Sequence, residues 1–182
     1  MSAPTVQPVQ NAAERLDLNA LGNRLWKAAD DLRANSNLAS NQYFFPVMGL
    51  IFLRHAYNRY LLVKADVEKT LPSRGGTVRA LTKQDFARKS ALFLQKKAQF
   101  DYLVDLEDDQ DLGKALNDAM QSIETDYTEL AKALPRGFDT IEKDLLQRLL
   151  RIFNDEDLQH ASDDVFGRIV TAQQGSSVSL LQ

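Results

Sequence analysis

Apolar residues along this chain recur at helical spacing and almost nowhere alternate, so the pattern predicts helices rather than strands. Leu21, Leu25, Ala28 or Ala29, and Leu32 fall on one face of a first helix running to about Ala34. Asp17 or Asn19 is placed to cap it, and Trp26 flanks the stripe and is expected in the core. After the polar break "ANSNLAS" comes "NQYFFPVMGLIFLRHAYNRYLLV", residues 41–63, with no charge from Tyr43 to Leu53. A membrane-spanning helix needs about 20 apolar residues. Here Arg54, His55, Asn58 and Arg59 follow within two turns, so the run reads as a core helix reaching about Leu71. Ser40 or a neighbour is expected to cap it. Pro46, lacking an N–H, is expected to mark a helix start or a kink.

Residues 72–84, "PSRGGTVRALTKQ", read as a basic Gly/Ser loop, from which Thr82 and Asp85 form a capping-box pattern opening a short helix. "ALFL" at 91–94 is too short to assign. A helix through "KKAQFDYLVDL" is expected, and "EDDQD" resets the chain. Leu112, Ala115, Leu116, Ala119, Met120 and Ile123 make a clean helical stripe. Pro135 and Gly137 punctuate, and "DTIEKDLLQRLLRIF" repeats the pattern through Ile141, Leu145, Leu146, Leu149, Leu150 and Phe153. Ser162 is placed to cap a last helix, "DDVFGRIV". The expected fold is all-α: a bundle of mostly antiparallel helices with the basic loop around 72–84. Residues 1–16 are expected to be a flexible lead-in and 17–170 a single domain. Residues 171–182 read as a polar tail with little pattern.

At 182 residues the chain is long enough to bury its own core without staples. It contains no cysteine, which excludes disulfides, thiolate metal sites and a cysteine nucleophile. The N-terminus has neither a basic leader nor an apolar segment, so no signal peptide is expected. The net charge of −3 conceals a polarity. Residues 1–100 carry 15 Lys/Arg against 7 Asp/Glu, and residues 101–182 carry 7 against 18. Such asymmetry points to an anionic partner for one face, or to halves that attract each other.

Candidate chemistry is sparse. His55 and His160 stand about a hundred positions apart in no ligand spacing, so neither a metal nor a catalytic role is expected. The acidic clusters "LEDDQD" and "NDEDLQH" lack the glycine and spacing of a calcium loop and read as solvated turns. Gly75–Gly76 follows no predicted strand and forms no phosphate loop. Arg74, Arg79, Lys83, Arg88, Lys89, Lys96 and Lys97 remain as candidate phosphate contacts, though no interleaved aromatics provide a base-stacking platform.

Four separated stretches carry a family resemblance: "LWKAADDLRANSNLASNQYFFPVMGLIFLRHAYNRY", "FDYLVDLEDDQDLGKALNDAMQSIE", "LLQRLLRIFND" and "DDVFGRI". In this order, across roughly residues 20–170, they resemble the N-terminal helical domain of the modification (M) subunit of type I restriction–modification systems, the HsdM family. Three departures stand out: Pro46, Gln95 where the family often has a proline, and "VTAQQGSSVSLLQ" after Ile169 in place of a further helix. The tail therefore looks like a truncation, a cloning scar or a shifted reading frame.

The resemblance implies a parent N6-adenine DNA methyltransferase that binds S-adenosylmethionine through a glycine-rich strand–helix turn and grips a flipped adenine with an Asn-Pro-Pro-aromatic motif. The five prolines here are never adjacent, so no catalytic or cofactor residue carries over, and this chain is expected to be inactive alone. The implied partners are a specificity subunit, a second modification subunit, the restriction subunit of the full complex and double-stranded DNA, in the cytoplasm of a bacterium or archaeon. The implied role is subunit assembly, closure of the clamp on DNA and sensing of its methylation state, with residues 72–97 the best candidate for a DNA-facing or mobile segment. The competing readings are a helical protein–protein adaptor with no nucleic-acid role, and a small self-contained enzyme.

Overall fold

A computed structural model describes residues 20, 22–31, 34, 39–71, 73, 74, 77–161, 166 and 167. The proposed caps Asp17, Asn19 and Ser162, the lead-in and the tail lie outside these residues. The helices are α1 (residues 22–31), α2 (Ser40–Thr70), α3 (Lys83–Ala87), α4 (Phe100–Val104), α5 (Leu112–Asp126), α6 (Lys143–Phe153) and α7 (Glu156–Gln159). The architecture is all-α, as expected. The loop expected at 72–84 contains the one described ladder, an antiparallel pair of two-residue strands, β1 (Ser73–Arg74) and β2 (Thr77–Val78).

α2 is the axis of the bundle. Its 31 residues span about 46 Å, and α3, α4, α6 and α7 all pack against it. Val47, Leu50, Ile51, Leu53, Ala56 and Tyr57 are buried on several sides, which is why its apolar run has little amphipathic character. Pro46 is not a helix start. Ser40 begins the helix six residues earlier, with Ala39 at the cap, where the Gln42 side-chain oxygen accepts from the Ala39 N–H at 3.1 Å. The helix runs through Pro46, and the Gln42 carbonyl forgoes the donor that an ordinary residue would provide there. α1 docks on this end: Trp26 stacks on Phe44 with centroids 6.5 Å apart, and the Tyr43 hydroxyl donates to the Ala29 carbonyl.

Two expected helices are interrupted. "KKAQFDYLVDL" splits into a 3-10 turn, Lys96–Ala98, and α4, because Gln99 between them is extended at ψ 133°. "DTIEKDLLQRLLRIF" splits into a 3-10 turn, Phe138–Thr140, and α6, with Ile141 extended between them. The second break has a visible cause. The Asn117 side-chain oxygen on α5 accepts from the N–H groups of Gly137 (3.1 Å) and Phe138 (3.4 Å), and its amide donates to Asp139 (2.8 Å). The turn so pinned drives Phe138 into the core. A β-carbon on Gly49 would stand 2.8 Å from that ring, and one on Gly113 would stand 2.9 Å from backbone atoms of residues 138 and 139. "LGKALNDAM" is thus a joint: Gly113 admits the crossing backbone and Asn117 ties it down. The acidic stretch "NDEDLQH", expected as a solvated turn, instead holds α7, capped by Asp155, whose carboxylate accepts from the Asp157 N–H at 3.0 Å; Leu158 is fully buried.

Arg54 lies at the meeting point of α2, α4, α6 and α7. Its guanidinium is 1% exposed and donates to the Asn58 side-chain oxygen through Nε (2.9 Å) and Nη2 (2.7 Å), and to that of Asn154 through Nη1 (3.1 Å). Asn58 in turn donates to the Leu158 carbonyl at 2.6 Å. The cation also lies over Phe100, 4.9 Å from the ring centroid. No described helix is long and apolar enough to cross a membrane.

Candidate nucleic-acid interface

The basic segment is strapped to the bundle by its aromatic side chains. Phe86 of α3 is fully buried and stacks on Tyr60 of α2 at 5.0 Å, and Phe93 meets Phe86 edge-on at 5.4 Å. Tyr60 continues the stack to Tyr57 at 6.0 Å. The Phe93 N–H donates to the Tyr127 hydroxyl at 2.6 Å, beyond the end of α5. Residues 79–97 therefore form a fixed ledge between the C-terminal ends of α2 and α5. Sequence patterning missed these anchors because Phe86 and Phe93 belong to no extended apolar stripe.

Three of the seven candidate cations are committed to carboxylates within the chain. Arg79 makes a two-pronged pair with Asp85, at 2.8 and 2.7 Å, and the same carboxylate accepts from the Thr82 N–H (2.9 Å) and hydroxyl (2.8 Å). The expected capping box is there, reinforced by an arginine the pattern did not assign to it. The guanidinium first, then the Thr82 donors, hold the Asp85 carboxyl well below the usual carboxylate range. Lys83 pairs with Asp126 at 2.5 Å, and Gln95 donates to the other oxygen of that carboxylate at 2.8 Å. Burial works against the Asp126 anion, but the Lys83 and Gln95 hydrogen bonds prevail and lower its pKa. Lys89 pairs with Asp66 of α2, which its hydrogen bond holds below the ordinary range, and the Lys89 carbonyl accepts from Arg59 at 3.0 Å.

The other four differ. Lys96 lies over the Tyr102 ring, 5.8 Å from its centroid. Arg88, on the turn after α3, and Lys97 are exposed and make no ion pair within 4.0 Å among the described residues. Arg74 falls on β1, with its side chain outside the described set. The charge polarity of the sequence is thus partly spent internally, through Lys83–Asp126 and through Arg24, which reaches Asp155 (3.4 Å) and Asp157 (3.1 Å).

Among the described residues no three His, Asp or Glu side chains are placed to hold a metal ion. His55 lies against Phe166 at 4.8 Å, while His160 is exposed at the end of α7.

The fold defines a class: an all-α helical domain carrying a ledge of surface cations. The chain belongs to the HsdM N-terminal domain family, which it matches over residues 21–167. It is also similar to the type I restriction enzyme MjaIX methylase subunit of Methanocaldococcus jannaschii, at 27% identity over 162 residues. That match covers 81% of this chain and 29% of the relative, so the chain spans less than a third of the length of the protein it resembles.

Proposed function

We propose that this chain is the non-catalytic N-terminal module of a type I restriction–modification N6-adenine DNA methyltransferase subunit. It contributes to subunit assembly, to closure of the complex on DNA and to sensing of methylation state, in the cytoplasm of its host. The observation carrying this reading is the family match across 21–167. In the assembled enzyme its partners are the specificity subunit, a second modification subunit, the restriction subunit and double-stranded DNA. S-adenosylmethionine is expected to be held by the catalytic domain, outside the residues matched here.

Contacts from the ledge are to backbone phosphates, which position without reading sequence. Of the seven cations, Arg88 and Lys97 reach phosphates without breaking an internal ion pair and without leaving an aromatic ring, as Lys96 over Tyr102 must, so they are the primary contacts. Arg74, Arg79, Lys83, Lys89 and Lys96 surround them and contribute to the local field.

The test measures DNA affinity against salt for the complex containing the full-length subunit, with and without Arg88→Glu plus Lys97→Glu. Removing one cation–phosphate interaction should reduce the steepness of log K against log salt by about 0.9. An unchanged affinity and slope would sink the phosphate assignment and favour the adaptor reading.

A further inference from the structure

The three ion pairs of the ledge differ in what breaking them costs. Asp85 is nearly buried, takes both prongs of Arg79 and also accepts from Thr82 at the start of α3. Asp126 is nearly buried too, and takes Gln95 as well as Lys83. Drawing the cation away from either leaves an enclosed carboxylate short of a donor, so both pairs are structural. Lys89–Asp66 is of another kind. Its side chains are 41% and 56% exposed, and Lys89 is the one side-chain donor to that carboxylate among the described residues. A pair so exposed shifts an equilibrium by a factor of about five at most.

Lys89 follows Arg88, one of the two primary contacts, in the turn that closes α3. The backbone of this turn is fixed. The Lys89 and Ala91 N–H groups both donate to the Phe86 carbonyl, at 2.9 and 3.1 Å, and the Lys89 carbonyl accepts from Arg59. Ser90 then turns the chain back at φ 53°. Only the Lys89 side chain is left to choose a partner, between Asp66 on α2 and the anion that meets Arg88 beside it. The Lys89 hydrogen bond holds the Asp66 carboxyl below its ordinary range, so the carboxylate is ionised near neutral pH and always competes. Were Lys89 to leave it, Asp66 would meet the arriving phosphate with a bare like charge.

We propose that Asp66 limits the grip of the ledge on DNA: it withholds Lys89 from the phosphates, and neutralising it makes Lys89 a third contact beside Arg88 and Lys97. This rests on the phosphate reading of the ledge and adds to it a residue that opposes binding. A ledge restrained in this way lets go of the duplex more readily.

The experiment measures duplex affinity against salt for the complex containing the full-length subunit, as a cycle of the parent, Asp66→Asn, Lys89→Gln and the double variant. Both side chains are exposed, so the variants are expected to melt with the parent. Asp66→Asn should tighten binding about threefold to fivefold when Lys89 is present. It should also steepen log K against log salt by about 0.9, the mark of one further contact. In the Lys89→Gln background the same change should give less than about twofold and no added slope, since only the screened field of the lost charge remains. Equal tightening in the two backgrounds would overturn the proposal, as would no tightening in either. Arg88→Glu plus Lys97→Glu tells the two readings apart. If that pair weakens binding while the cycle shows no coupling, the ledge stands and the role of Asp66 falls. If it leaves affinity unchanged, the phosphate reading falls and takes this one with it.

Discussion

Gly113 and Asp139 touch through their backbones: a β-carbon added to Gly113 would lie 2.9 Å from the Asp139 α-carbon. Alanine in place of an open helical glycine stabilises by up to about 1 kcal/mol. Here the obstructing atoms are main chain and cannot swing away. Gly113→Ala is therefore expected to destabilise the domain by about 1–3 kcal/mol, as overpacking does. Urea denaturation of the two chains decides the sign, and a stabilised variant would refute the crossing.

Asn117 makes the same joint through polar atoms, accepting from Gly137 and Phe138 and donating to Asp139. Asn117→Ala leaves two partly buried N–H groups without this acceptor and should cost about 1–3 kcal/mol. Asn117→Asp keeps the acceptor but loses the donor to Asp139 and sets two carboxylates face to face. It should be destabilised near neutral pH and recover as the pH falls through the carboxylate range.

Asp85 gives the acid limb of stability a defined origin. Its pKa is lowered in the folded chain, so it binds a proton more weakly folded than unfolded. Its contribution is complete above the ordinary aspartate value of about 3.9 and is lost progressively as the pH falls below that value toward the depressed folded one. Asp85→Asn should be less stable than the parent at pH 7, and the gap should narrow in acid. Thermal melts at pH 7 and pH 3 measure it; a gap that stays constant would rule out the Arg79–Asp85 pair as its source.

Arg54 is expected to be the most sensitive charged position in the core. Arg54→Ala leaves the buried Asn58 side-chain oxygen without its donors, which costs about 1–3 kcal/mol, and empties a fully buried site besides. Ledge residues divide differently. Lys83→Glu places a like charge against Asp126 and should destabilise by about 1 kcal/mol or more. Arg88→Glu should stay within about 0.5 kcal/mol of the parent, as surface changes do. Equal losses of stability for Lys83→Glu and Arg88→Glu would show that the Lys83–Asp126 pair does not form.

Much of this fold is legible in the sequence, and the residues that escape it share a cause. α5 reads cleanly because Leu112, Leu116, Ala119, Met120 and Ile123 face one core, with Asp111 capping ahead of them through a 2.9 Å bond from Lys114. α2 reads as buried because its apolar residues surround the axis. The breaks at Gln99 and Ile141 are not legible, since they are set by tertiary contacts from elements elsewhere in the chain, such as Asn117 holding the Phe138 turn. The basic residues of the ledge are visible as a cluster, but their partners Asp66 and Asp126 are distant in sequence and come together only in the fold. A charge count therefore overstates how many cations are available. Arg54 reads as the residue that ends an apolar run, when it is in fact the largest fully buried side chain among the described residues.

The stack from Tyr57 through Tyr60 to Phe86 and Phe93 bears on the thermodynamics of whatever meets the ledge. A charged arm that orders only on contact gives up conformational entropy at that moment. This ledge has settled that cost during folding, so an anion arriving there should bind with strong salt dependence, little change in heat capacity and little gain in amide protection.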